Sequence, residues 1–242
     1  MAVLEMGRQN LRIMTTVTVK ACVVCPYHEK DRHGQPFNIR PELGFISLNN
    51  GSGLRRSPIG WRASYLLDLV LSLEPERRSV VIGRLDADQN VEFLQSLDRS
   101  RLEELHVIES GEWSRLPRWK RILSIVMADF TAPWIFFRTV NFEYVAELME
   151  KFWHCYGGTW VFLSGPDRFH VEEWRVVKES MNYELFPFLS KKSAEFRFLL
   201  HIVDDYRIDI WFPSQRLNAI LPHVESVSAR HGILLSKTYA EI

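Results

Sequence analysis

Cysteine is scarce in this chain: Cys22, Cys25 and Cys155 are the only three among 242 residues. So few thiols, and an odd number of them, do not build the disulfide framework of a secreted fold, and they point to a reducing compartment, expected to be the cytoplasm. Long apolar runs are missing as well. No stretch reaches the roughly eighteen consecutive apolar residues that a bilayer-spanning helix requires. The start of the chain, residues 1–13, carries Glu5, Arg8 and Arg12 in place of the long apolar core of a signal peptide, and is expected to be a flexible extension or an upstream mis-start. An excess charge of either sign is also absent. Thirty basic and thirty acidic side chains cancel, so no whole-molecule field attracts nucleic acid or an anionic membrane, and both are unexpected as partners. One local basic group, Arg115, Arg118, Lys120 and Arg121 beside Trp113 and Trp119, has the composition of a single-strand-binding surface. A helix with a solvated basic face explains the same residues. There is no low-complexity stretch and no convincing short repeat.

What is present is the balance of a globular protein, with 46% hydrophobic and 25% charged residues, enough to bury a large core. Thr16 to Val24 alternates between apolar and polar residues, as a half-buried strand does. Pro26 to Pro41 collects Gly34, Pro36 and several charges and is expected to be a long polar loop. Phe45 to Leu48 predicts a short strand. Trp61, Tyr65, Leu66, Leu69 and Leu73 recur at helical spacing until Pro75 stops them. Val80 to Leu85 predicts a strand, Val91 to Leu97 a short helix and Leu105 to Ile108 another strand. Pro117 is suited to open a helix carrying Trp119, Ile122, Leu123, Val126 and Phe130. Trp134 to Val140 lacks polar alternation, which predicts a central strand buried on both faces. Phe142, Val145, Met149, Phe152, Trp153 and Tyr156 mark an amphipathic helix that Gly157-Gly158 ends.

Residues 159 to 239 carry the most order. Thr159 to Leu163, Phe169 to Met181, Phe196 to Val203, Tyr206 to Phe212, a helix opened by Ser214 and bent at Pro222, and Ile233 to Tyr239 spell strand, helix, strand, strand, helix, strand. That is a split βαβ, ferredoxin-like unit. A two-residue turn at Asp204-Asp205 would set Phe198 opposite Trp211, Leu200 opposite Asp209 and Ile202 opposite Arg207. The expectation is an α+β protein of mixed sheets with flanking helices. An N-terminal α/β half over 14–157 and a ferredoxin-like C-terminal half over 158–242 share one core, since no Gly-, Ser- or Pro-rich linker separates them.

Four constellations bear on chemistry. Cys22, Cys25, His28 and His33 supply the ligand types of a tetrahedral zinc site within twelve residues. However, Val23-Val24 favours continued strand, which sends the two thiols to opposite faces. Two structural thiols and two loop histidines are the alternative. Arg84-Leu85-Asp86-Ala87-Asp88 ends a strand, where paired carboxylates can hold Mg²⁺ or Mn²⁺ against a diphosphate. This run resembles the Asp-x-Asp signature of GT-A glycosyltransferases. The resemblance implies that Asp86 and Asp88 bind the metal of a nucleotide sugar; a solvated turn capping the next helix is the plainer account. Gly51-Ser52-Gly53-Leu54-Arg55 precedes a helix whose first amides can cradle a phosphate, with Gly51, Ser52, Gly53 and Arg55 in contact. It lacks the Walker lysine, and a flexible strand-to-helix loop is the plainer account.

For nucleophilic chemistry the candidates are Ser164, Ser214, Cys155, His154, His170 and His201, none inside a Gly-x-Ser-x-Gly elbow. Asp209, set between Ile208 and Ile210, is expected to be desolvated with a raised pKa, or else neutralised by a cation on the same sheet face. Tryptophan, present eight times, and arginine are the residue types that anchor interfaces. The chain is therefore expected to be a non-catalytic protein-binding protein without cofactor or metal, with one protein partner, in the manner of a toxin-neutralising immunity protein. The alternative is a metal-dependent glycosyltransferase using Asp86 and Asp88.

Overall fold

The computed structural model describes residues 17–25, 27–30, 36–40, 42–49, 63–85, 89–108, 133–152, 159–165, 174–175, 196–203 and 207–239. These form an α+β fold built on one large mixed sheet. The strands are β1 (Val17–Val24), β4 (Leu43–Asn49), β5 (Val80–Leu85), β6 (Glu104–Ile108), β7 (Trp134–Arg138), β8 (Thr159–Ser164), β9 (Phe198–Val203), β10 (Arg207–Pro213) and β11 (Ile233–Tyr239). A separate hairpin joins β2 (Tyr27–Lys30) to β3 (Pro36–Arg40). The described helices are α1 (Ala63–Leu73), α2 (Asn90–Ser96), α3 (Phe142–Phe152) and α4 (Leu217–Arg230). None of them is long and apolar enough to cross a membrane.

The nine strands lie in the order β11-β1-β4-β10-β9-β8-β5-β7-β6. Only β11 and β1 run parallel; every other neighbouring pair is antiparallel. Because side chains alternate along each strand, the sheet has two chemically distinct faces. One face, with Val19, Ile46, Ile210, Phe162 and Ile82, packs against all four helices in a single large core. The helices supply their apolar stripes, such as Leu66, Leu69 and Val70 of α1 and Ile220, Val224 and Val227 of α4. Each fully buried Leu, Val or Phe contributes about 1.5–3 kcal/mol to that packing. The opposite face has a smaller core of Trp134, Phe136, Val161, Leu163, Leu199 and Trp211, covered in part by Trp174.

On the helix-covered face, Arg84 of β5 is fully buried. Its Nε donates to Asn90 Oδ1 at 2.8 Å and its Nη1 to the Phe152 carbonyl at 3.0 Å. The guanidinium lies 4.9, 5.1 and 5.3 Å from the ring centres of Phe93, Phe152 and Trp160. An arginine without these donors' acceptors would be costly in such a place; hydrogen bonds and ring faces together replace its water. They also tie α2, α3 and β8 to β5. A second buried charge, Glu74 just past α1, accepts from Ser164 Oγ at 2.6 Å and pairs with Arg197.

Several expectations are corrected. The C-terminal strands do not form a ferredoxin-like unit. In that fold the first strand sits between the third and the fourth; here β8 pairs with β9, and β4 and β1 separate β10 from β11. The hairpin register slips by one, with Arg207 opposite Val203, Asp209 opposite His201 and Ile210 opposite Leu200. Three residues rather than two connect the paired positions, and an odd connection moves every partner by one place. The span from Pro26 to Pro41 contains paired strands, since Tyr27, Phe37 and Ile39 favour extended pairing despite their polar neighbours. β7 is buried on both faces but stands one strand from the edge, beside β6. Ser214 opens a single 3-10 turn and gives no side-chain cap. Gly232 ends α4 as expected, at φ 71°, where a side chain would be strained.

Close packing on the second face sets a sharp test at Gly83. A Cβ there would lie 2.5 Å from Val161 Cγ2 and 2.6 Å from Phe136 Cε1, closer than carbon atoms approach. Gly83→Ala is expected to lower stability by about 1–3 kcal/mol through overpacking. Urea unfolding reports this as a lower midpoint at unchanged slope; an unchanged midpoint would show that the three strands are not packed as described.

Candidate functional site

The register places a row of polar side chains across the second face. Cys22 on β1 pairs with Ser47 on β4, Ser47 with Asp209 on β10, and Asp209 with His201 on β9. Asp209 is 5% exposed. Ser47 Oγ donates to its Oδ1 at 2.7 Å, and Arg207 Nε stands 3.1 Å from its Oδ2. Both sequence readings of this acid are realised together. Burial pushes its pKa up, while the Ser47 hydrogen bond and the Arg207 charge pull against that rise. His201 keeps partial solvent contact at its edge, yet desolvation, aided by the Arg207 charge, pushes its pKa down to about 4. It is therefore neutral at pH 7.

The order within the row limits its chemistry. A serine nucleophile needs an imidazole beside its hydroxyl and a carboxylate behind the imidazole. Here the carboxylate sits between the serine and the histidine, so Ser47 donates straight to Asp209. The arrangement is a cross-strand polar ladder, a row of neighbours in which the Ser47–Asp209 hydrogen bond links β4 to β10, with His201 of β9 beside it.

Among the other expected site residues, Cys22 and Cys25 are half-buried free thiols. Cys25 Sγ donates to the Ser214 carbonyl at 3.4 Å, and burial raises its pKa. His28 falls in β2 opposite Ile39. No group of three or more His, Cys, Asp or Glu is placed to hold a metal among the described residues. Ser164 is bound to Glu74. His33, Gly51, Ser52, Gly53, Arg55, Asp86 and Asp88 lie outside the described residues, as do Arg115, Arg118, Lys120, Arg121, His154, Cys155 and His170.

A second surface was not singled out in the sequence. β11 borders the sheet: β1 pairs with one side of it, and no described strand pairs with the other. Leu234 and Tyr239 are 58% and 57% exposed. Lys20 on β1 is exposed directly opposite Ser236. Lys237 is held by Glu225 of α4. The signal was in the run Ile233-Leu234-Leu235, which is apolar at consecutive positions. Ile233 is buried, and the next residue must then face outward. No protein-family model, curated protein or solved structure matches the chain.

The ladder yields a pH prediction. The folded pKa of His201 is about 4 against 6.5 for the free side chain, so the unfolded state binds the proton first as pH falls. Stability is lost between pH 6.5 and 4, by about 2 kcal/mol at pH 5 from this group. Asp209 acts with the opposite sign, since a raised carboxyl pKa favours the fold below the free value and that contribution is lost as pH rises through the folded one. His201→Gln is expected to flatten the loss of stability between pH 7 and 5 in urea titrations. An identical slope in the variant would mean that His201 is not buried in its neutral form.

Proposed function

We propose that the protein is a non-catalytic cytoplasmic protein-binding protein with a single protein partner, of the kind exemplified by toxin-neutralising immunity proteins. The observation that carries this reading is the β11 border, which presents Leu234 to solvent near Lys20 on one face of the sheet and Tyr239 on the other. Apolar side chains on an uncovered strand edge are a liability that folded proteins normally blunt with proline, bulges or charge. β11 has no proline, and its one charge, Lys237, is paired with Glu225. Retaining such an edge is consistent with its use as an interface. The deeply buried polar groups, by contrast, are occupied in holding the sheet together.

The experiment is affinity capture from cells of the native source with the full chain as bait, followed by mass spectrometry. One dominant protein is expected with the native chain, and about tenfold less with Leu234→Ser/Tyr239→Ser. Equal recovery with the double variant, or no specific protein, would remove the proposal. Retention of Mn²⁺ and a nucleotide sugar by the native chain, lost in Asp86→Asn/Asp88→Asn, would favour the glycosyltransferase alternative.

A further inference from the structure

Resting on the protein-binding reading, we infer that the partner docks by adding an extended strand to the free edge of β11, with a carboxylate placed beside Lys20. Residues of a strand direct their backbone N–H and C=O groups alternately to its two sides. β11 gives one set to β1, and the other set points outward with no partner among the described strands. An added backbone satisfies that set, the recognition mode known as strand addition.

Register and charge specify the occupant. On the second face, the rows running out to the edge are Thr18 with Leu234, Lys20 with Ser236, and Cys22 with Thr238. β1 and β11 together carry two lysines and no acid. Lys237 is neutralised by Glu225, whereas Lys20 makes no ion pair among the described residues. Ser236 is small, so the long Lys20 side chain can pass over it toward the next strand. The position beside Ser236 therefore suits Asp or Glu, and the position beside Leu234, two residues away, suits an apolar side chain. On the helix-covered face, Leu235 and Tyr239 offer apolar contact. The partner segment is thus an extended stretch with a central acid flanked by apolar residues.

The test uses the full chain with two probes. The first is a labelled synthetic peptide of alternating valine and threonine with a central glutamate, compared with the same peptide carrying lysine. Fluorescence polarisation is expected to show the glutamate peptide binding at least about fivefold tighter, and Lys20→Glu is expected to reverse the order. The second probe is the protein captured with the native chain, purified. Of Leu235→Pro and Ser236→Pro, one removes an amide that faces β1 and lowers the melting temperature, while the other removes an outward amide and leaves it unchanged. The thermally neutral variant is expected to lose both peptide and protein. Equal binding of the two peptides, or full binding by the neutral proline variant, overturns the inference. Capture that survives this proline yet is lost in Leu234→Ser/Tyr239→Ser removes strand addition and leaves the protein-binding reading intact. A concentration-dependent doubling of mass, abolished by the same proline, puts a second copy of the chain on the edge and also overturns it.

Discussion

Cross-strand registration at β4, β10 and β9 is the constraint on which the molecule depends. Successive side chains alternate between faces, so shifting β10 by one residue would carry Ile208, Ile210 and Phe212 out of the helix-covered core and bring Asp209 into it. Two devices hold the register. Ser47 of β4 donates across the strands to Asp209 of β10, whose charge Arg207 of the same strand balances, and the helices close over the apolar residues of the first face. The ladder stabilises less by its own hydrogen bonds, worth about 1 kcal/mol each, than by excluding pairings that would leave a buried carboxylate without donors.

The same logic governs the other buried charges. Arg84 has acceptors on α2 and on the last residue of α3, and three aromatic rings about its guanidinium. Glu74 has the Ser164 hydroxyl and the Arg197 guanidinium. Each charge joins elements far apart in sequence, so it opposes arrangements in which those elements separate. Removing one partner of such a set leaves an uncompensated charge, which costs more than the contact contributes.

Local order was legible in the sequence and long-range order was not. Helical spacing located α1 and α3, and short strand-like runs located β5 and β7, because those signals depend only on neighbours a few residues away. The run from Thr159 to Tyr239 read as a self-contained split βαβ unit. Its strands do occur, but nothing in their own alternation announces that β4 and β1 insert between β10 and β11. The hairpin register turned on whether Tyr206 belongs to the connection or to the strand, and β-propensity placed it in the strand. In the polar ladder, Asp209 and His201 each drew notice alone; Ser47 went unremarked because its partner is supplied by the sheet and not by spacing. The burial of Arg84 was hidden too, since its acceptors are a side chain six residues on and a carbonyl near the end of a later helix. The metal and phosphate candidates fall outside the described residues, apart from Cys22, Cys25 and the backbone of His28.

The parallel pairing of β1 with β11 joins the first described strand to the last. During synthesis β1 leaves the ribosome well before β11 and waits, one flank bare, until the roughly two hundred residues between them have followed. Val19, Ala21 and Val23 are available to improper neighbours throughout that interval, which is when chaperone attention matters most. A truncation within β11 would spare the described helices yet leave that flank permanently open, making the shortened product a substrate for quality control and not merely a smaller version of the same protein.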